Sequence, residues 1–161
     1  MIFMKRKPWK VYAFWILLAE AVGALSGFLT REGMQYFTDS VQKPALSPPP
    51  LAFPIAWGIL YALMGIGMAR VCLTPDRARR VGSTALFLVQ LFFNFFWSIL
   101  FFNARAYGCA FLWLAVLWVL ILWMTLSFSE LDRPAARLQI PYLLWVLFAG
   151  YLNYGVWILN R

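Results

Sequence analysis

Five windows of about twenty consecutive apolar residues run through this chain, and no other feature constrains its fold as strongly. A helix needs roughly 20 such residues to cross ~30 Å of hydrocarbon. The windows cover residues 11–29, 54–71, 81–102, 106–128 and 138–159. They take up most of the 161 residues, which leaves a single domain, 1–161, and little else. With 63% hydrophobic and 12% charged residues, a water-soluble domain of this size could not hide its apolar surface. Barrel strands would alternate polar and apolar over ~10 residues, and these windows do not. The expected fold is all-α: a polytopic membrane protein built as a five transmembrane helix bundle. The first window follows Lys5, Arg6, Lys7 and Lys10, as a cleavable leader would. It also carries Glu20 near its centre and offers only Ala24-Leu25-Ser26 as a cleavage site, so it reads as a retained helix.

The net charge of +8 invites a nucleic-acid reading, but the placement of the charges argues otherwise. With the N-terminus inside, the inner side holds Lys5, Arg6, Lys7, Lys10, Arg70, Arg77, Arg79, Arg80, Arg133 and Arg137. The outer side keeps Arg31, Lys43, Arg105 and Arg161. That asymmetry is the positive-inside pattern, giving N-terminus inside and C-terminus outside, with the basic residues touching anionic lipid. No nucleic-acid partner is expected. Cys72 and Cys109 fall on opposite sides of the membrane in this topology, and with no histidine there is no metal-ligand spacing.

Residues 30–53 form the only long connection, a lid-like loop ending in Lys43-Pro-Ala-Leu-Ser-Pro-Pro-Pro50. Proline fixes its own backbone angle and biases its predecessor, so this run should be stiff and non-helical. It is either a lid or a joint that starts the next helix. Asp132-Arg133-Pro134 marks the start of the last helix.

Polar residues inside the spans carry most of the functional signal. Gln90, Asn94 and Ser98 are spaced by four, so they stack on one helix face with Trp97 beside them. Hydrocarbon supplies no water, so each amide needs a partner: a neighbouring helix, another subunit or a ligand. Glu20 is the only acid within a span. It is either a neutral carboxyl bonded to a neighbour such as Gln90 or Asn153, or a proton-coupling or ligand-contacting group. Gly23 and Gly27 form a small face suited to close helix packing.

In the last window Tyr142, Trp145, Ala149, Asn153 and Val156 share one face, and in the second Trp57, Tyr61, Met64 and Met68 do. An aromatic, a small residue and an amide on one intramembrane face suggest a lined cavity or a helix contact. Counting ~1.5 Å per residue puts Trp145 about 20 Å below the outer helix end, while Trp57 lies near that surface. Trp9 and Trp157 fall near the interfaces, where anchoring explains them.

Together these residues resemble the TspO/MBR family, the tryptophan-rich sensory proteins related to the mitochondrial translocator protein, over nearly the whole chain. The likeness rests on four motifs: Lys43-Pro44-x-x-Ser47-Pro48-Pro49; Trp57-x-x-x-Tyr61-x-x-Met64-Gly65; Gln90-x-x-x-Asn94-x-x-Trp97-Ser98; and Pro141-Tyr142-Leu143-x-Trp145-x-x-Phe148-Ala149-x-x-Leu152-Asn153. The resemblance implies a bundle that is commonly a homodimer in a bacterial cell membrane. It also implies a pocket beneath the first loop for porphyrins such as protoporphyrin IX or other flat lipophilic molecules. Trp57, Trp145, Asn94 and Ala149 match the family's pocket residues. Leu46 stands where the family loop usually has tryptophan, and the basic residue of the vertebrate cholesterol motif is missing after Tyr154.

The expected ligand-binding set is therefore Trp57, Tyr61, Gln90, Asn94, Trp97, Ser98, Tyr142, Trp145, Phe148, Ala149 and Asn153. Arg31, Lys43 and Leu46 are candidate lid or carboxylate contacts. No cofactor is expected to be held covalently; a porphyrin enters as ligand, and the lack of histidine favours a metal-free ring. The first expectation is a porphyrin sensor or carrier. The second is light- and oxygen-dependent porphyrin degradation using Trp57 and Trp145, since no acid–base or nucleophile constellation is present. The third is proton-coupled export of lipophilic cations through Glu20, the glutamate position that small four-helix multidrug transporters also use.

Overall fold

The computed structural model describes residues 7–161; the cationic positions Lys5 and Arg6 lie outside the described residues. Five helices are long and apolar enough to span a membrane: Pro8–Leu29 (α1), Ala52–Cys72 (α3), Arg77–Asn103, Tyr107–Ser129 (α5) and Arg133–Leu159. The third comprises Arg77–Ser98 (α4) and a π-helical turn, Ile99–Asn103. The fifth comprises a short helix Arg133–Arg137 (α6) and Ile140–Leu159 (α7). A further helix, Arg31–Ser40 (α2), lies between the first two spans. Among the described residues there are no strands. Broad faces of Phe14, Leu17, Leu25, Leu112, Trp123, Leu144 and Leu147 are exposed, as lipid contact requires and water would not tolerate.

Local chemistry sets the helix starts. Pro8 and Pro141 occupy first-turn positions where the missing N–H costs nothing. The Asp76 carboxylate accepts from Arg79 N at 3.1 Å, and Asp132 accepts from Ala135 N at 2.9 Å. Asp132 also pairs with Arg70 at 3.0 Å, fastening α3 to α6 at the end of the bundle where Arg79 meets Glu130 at 3.7 Å. Arg31, Lys43 and Arg105 belong to the opposite end, where the Arg105 guanidinium lies 3.6 Å over the Tyr36 ring.

Close packing centres on α3. A Cβ on Gly65 would stand 2.5 Å from the Ile16 Cα, so α1 and α3 touch backbone to backbone. Gly23 leaves room for the Tyr61 ring, whereas Gly27 faces open space, so the expected small-residue face is split between packing and cavity.

The connection 30–53 is not a loop throughout. Its first half folds as α2, with Phe37 against Phe101 and Phe102 at 5.4 and 5.5 Å and Gly33 pressed on the Phe102 carbonyl. Its second half, 41–51, is non-helical, as the prolines dictate. This half runs along the C-terminal part of α7. Asn160 bonds Gln42 N and O at 3.0 and 2.8 Å, Pro44 packs on Gly155, and Tyr151 Oη donates to Ala45 O at 2.8 Å.

Candidate functional site

That descending segment resolves the depth difference between Trp57 and Trp145. Counted from its own end, Trp57 is shallow, but the first turn of α3 begins well below the C-terminal end of α7. Phe53 therefore meets Trp145 at 6.2 Å, and the Trp57 and Trp145 rings lie 6.4 Å apart at 87°. Trp57 also contacts Tyr61 at 5.6 Å, Trp97 at 6.4 Å and Tyr142 at 6.2 Å. The second, third and fourth motifs of the chain meet at one aromatic junction.

Beneath it runs a buried polar chain. Tyr61 Oη donates to Asn94 Oδ1 at 2.6 Å, Asn94 Nδ2 donates to Tyr142 Oη at 2.7 Å, and Tyr142 Oη donates to Gln90 Oε1 at 2.8 Å. Gln90 Nε2 reaches the Met64 sulfur at 3.9 Å. One turn outward, Trp97 Nε1 donates to Asn153 Oδ1 at 3.1 Å, and Asn153 Nδ2 donates to Tyr107 O at 2.8 Å. Gln90 and Asn94 are thus bonded to α3 and α7, and Asn153 to α4 and α5, with their polar groups committed, as amides at bilayer depth must be. The pairing of Glu20 with Gln90 or Asn153 is corrected: both amides have other partners.

The cavity lies on the other side of this junction, in two connecting lobes. An inner lobe of about 310 Å³ is enclosed by α1, α3 and the end of α4, with Trp57, Tyr61, Trp97, Ser98 and Phe102 opposite Glu20 and Gly23. An outer lobe of about 670 Å³ lies under the loop, walled by Phe37, Pro48, Pro50 and Leu152, with Arg31 and Lys43 on its rim. Gly27, Met34, Phe53, Pro54 and Phe102 border both lobes, which form one continuous cleft. These volumes lie within the ~300–1,000 Å³ typical of small-molecule sites. Arg31 Nη1 donates to Phe28 O at 3.0 Å, and Lys43 Nζ donates to Thr38 O and Val41 O at 3.0 and 3.2 Å. Both cations are therefore held at the mouth of the cleft.

Of the expected ligand set, Trp57, Tyr61, Trp97 and Ser98 line the inner lobe, and Arg31 and Lys43 line the outer one. Gln90, Asn94, Tyr142, Trp145, Phe148, Ala149 and Asn153 line neither. Tyr142, Ala149 and Asn153 are buried in the α7 packing face. Trp145 stands behind Trp57 and Phe53, with Phe148 at 5.8 Å, and its indole N–H has no acceptor. Leu46 points away, 81% exposed, with φ of 67°. Sequence reasoning missed Phe53, Met34 and Phe102. The position of Phe102 depends on the π-helical turn, a feature often found at functional sites.

Chemically, the cleft offers flat aromatic walls, a few hydroxyls, a carboxyl at its inner end and two cations at its mouth. It fits a flat apolar body with polar ends.

Comparison with known proteins places this geometry. The family model described as "TspO/MBR family" matches residues 15–158. The chain is 34% identical to the tryptophan-rich protein TspO of Chlorobaculum tepidum, over 92% of this chain and 94% of that one. It is 34% identical to the protein CrtK of Rhodobacter capsulatus, over 93% and 92% respectively. It is also 34% identical to the human translocator protein, over 93% and 90%.

Proposed function

The chain belongs to the TspO/MBR family, and with its five spanning helices it is an integral multi-pass membrane protein; on that premise we propose that it binds a porphyrin of the protoporphyrin IX type in the two-lobed cleft, as a sensor or carrier. One observation carries the reading: a continuous cleft with Trp57, Tyr61 and Trp97 along its inner wall and Arg31 and Lys43 at its mouth. A tetrapyrrole face stacks on aromatic rings, and its two carboxylates need cations or water at one edge. In this pose the macrocycle lies between α1 and α3 and its carboxylates face Arg31 and Lys43. The orientation proposed from the charge distribution opens the cleft to the outer side of a bacterial cell membrane.

The Trp57–Trp145 contact favours a second reading, light-dependent oxidation of the bound porphyrin, because it joins a cleft-lining ring to one with a free indole N–H.

The test is titration of the purified protein with protoporphyrin IX in the dark, followed by illumination in air. Saturable quenching of tryptophan emission, weakened at least about tenfold in Trp57→Ala, is the expected result. Loss of the porphyrin spectrum in light, abolished by Trp57→Phe/Trp145→Phe, would add the second reading. Non-saturable partitioning equal in wild type and Trp57→Ala would refute both.

A further inference from the structure

Glu20 sits at the inner end of the cleft, nine residues before the end of α1 and so about 14 Å below that end. A carboxyl at that depth requires a complement, because hydrocarbon provides none. Among the described residues no hydrogen bond or ion pair reaches it. Three donors of the inner lobe are directed elsewhere. Tyr61 Oη donates to Asn94, Trp97 Nε1 donates to Asn153, and Thr30 Oγ1 donates to Ser26 O at 2.8 Å. Among the described residues no lysine or arginine lines the inner lobe; Arg31 and Lys43 both belong to the outer one. The cleft is therefore polarised along its length, with acceptor character at its inner end and cations at its mouth.

We propose that Glu20 is a specificity-determining residue that selects ligands with a flat apolar body and a protonated amine at their buried end. The inference rests on the cleft being a ligand site and extends its ligands from carboxylate-bearing rings to lipophilic amines. The ring system stacks among Trp57, Tyr61 and Trp97 while the ammonium group meets the Glu20 carboxylate. An ammonium–carboxylate contact away from water is stronger than a neutral hydrogen bond, and it neutralises both charges where solvation is poorest. Glu20 lies one helical turn from Gly23, which accommodates the Tyr61 ring, so carboxyl and aromatic wall are about one small ligand apart.

The experiment compares 1-pyrenemethylamine with 1-methylpyrene, which share a ring and differ in the amine. Binding is measured by pyrene fluorescence to the full chain in nanodiscs of zwitterionic lipid, so that the membrane itself does not concentrate the cation. Protoporphyrin IX is titrated in parallel. The wild type should bind the amine about tenfold more tightly than 1-methylpyrene. Glu20→Gln should erase that preference while leaving 1-methylpyrene affinity within about twofold, and Glu20→Asp should keep a preference. Equal binding of the two pyrenes by the wild type, or a preference that survives Glu20→Gln, would overturn the inference and leave the cleft reading intact. Absence of saturable binding by all three probes would overturn the cleft reading, and the inference with it.

Discussion

Asn94 is the centre of the polar chain, and its removal has a cost that can be worked out bond by bond. The substitution Asn94→Ala deletes the acceptor of Tyr61 Oη at 2.6 Å and the donor to Tyr142 Oη at 2.7 Å. Tyr142 keeps its bond to Gln90, so its loss is a single interhelical bond, about 0.6 kcal/mol by membrane precedent. Tyr61 fares worse, because its phenol is buried with no other acceptor, and an orphaned donor costs about 1–3 kcal/mol. The expected loss is about 2 kcal/mol. In a Tyr61→Phe background the orphaned hydroxyl no longer exists, so the same substitution should cost about 1 kcal/mol less. The assay is reversible unfolding in mixed micelles with increasing SDS, followed by far-UV circular dichroism, for the four proteins of the cycle. Additivity within about 0.3 kcal/mol would refute the claim that the two side chains are coupled. Because Tyr61 lines the inner lobe, Asn94→Ala should also weaken protoporphyrin binding severalfold without touching the ligand.

Gly65→Ala should lower thermal stability by about 1–3 kcal/mol, because the new methyl meets the Ile16 backbone and the helices must separate. Gly27→Ala, with nothing within 4 Å, should leave the melting temperature unchanged or slightly raised, and equal losses in the two would contradict the packing described. Leu46→Gly should stabilise the fold by about 0.5–1 kcal/mol by relieving the left-handed backbone at φ of 67°, read as a higher denaturant midpoint. Asn160→Ala removes the reciprocal pair with Gln42 and should speed proteolytic cleavage within 41–51 severalfold, with helix content unchanged.

The spans were legible because hydrocarbon imposes a length and a composition that few other environments demand. The amide face of α4 was legible for a related reason: Gln90 and Asn94 at bilayer depth must be paired, whatever their partners. The identity of those partners was not legible, because which helix faces Asn94 is decided by the Gly65 contact that draws α1 onto α3 and by the hydroxyls of Tyr61 and Tyr142. Helix α2 escaped notice because a ten-residue amphipathic helix with Arg31, Glu32 and Asp39 on its water-facing side reads as a polar connection. The π-helical turn left no mark in the apolar run Ile99–Asn103. It is fixed by Asn103 Nδ2 donating to Leu29 O at 3.0 Å and by Gly33 docking on Phe102. The same limit explains the cleft lining: helix periodicity identified residues facing the bundle interior but could not divide them between packing and cavity. Tyr142 and Ala149 face inward and pack, whereas Trp57 and Trp97 face inward and border space.

The floor and the roof of the cleft are held by different physics, which bears on how a ligand exchanges. The floor is the wall of Trp57, Tyr61 and Trp97, backed by the Tyr61–Asn94–Tyr142–Gln90 chain, which is buried where breaking a bond leaves polar atoms with no substitute partner. The roof is the segment 41–51, held to the last span by the Gln42–Asn160 and Tyr151–Ala45 bonds, which are exposed. Water can replace each of those bonds at a net cost of about 1 kcal/mol, so the roof opens far more readily than the floor deforms. Its four prolines restrict the chain even when it is released, so the segment moves as a stiff strap and not as a random coil. Ligand passage through the outer lobe then requires only the strap to lift from α7, while the aromatic wall that recognises the ligand stays preorganised. A cleft built this way separates its tasks: the loop governs access, and the α3–α4–α7 junction governs affinity.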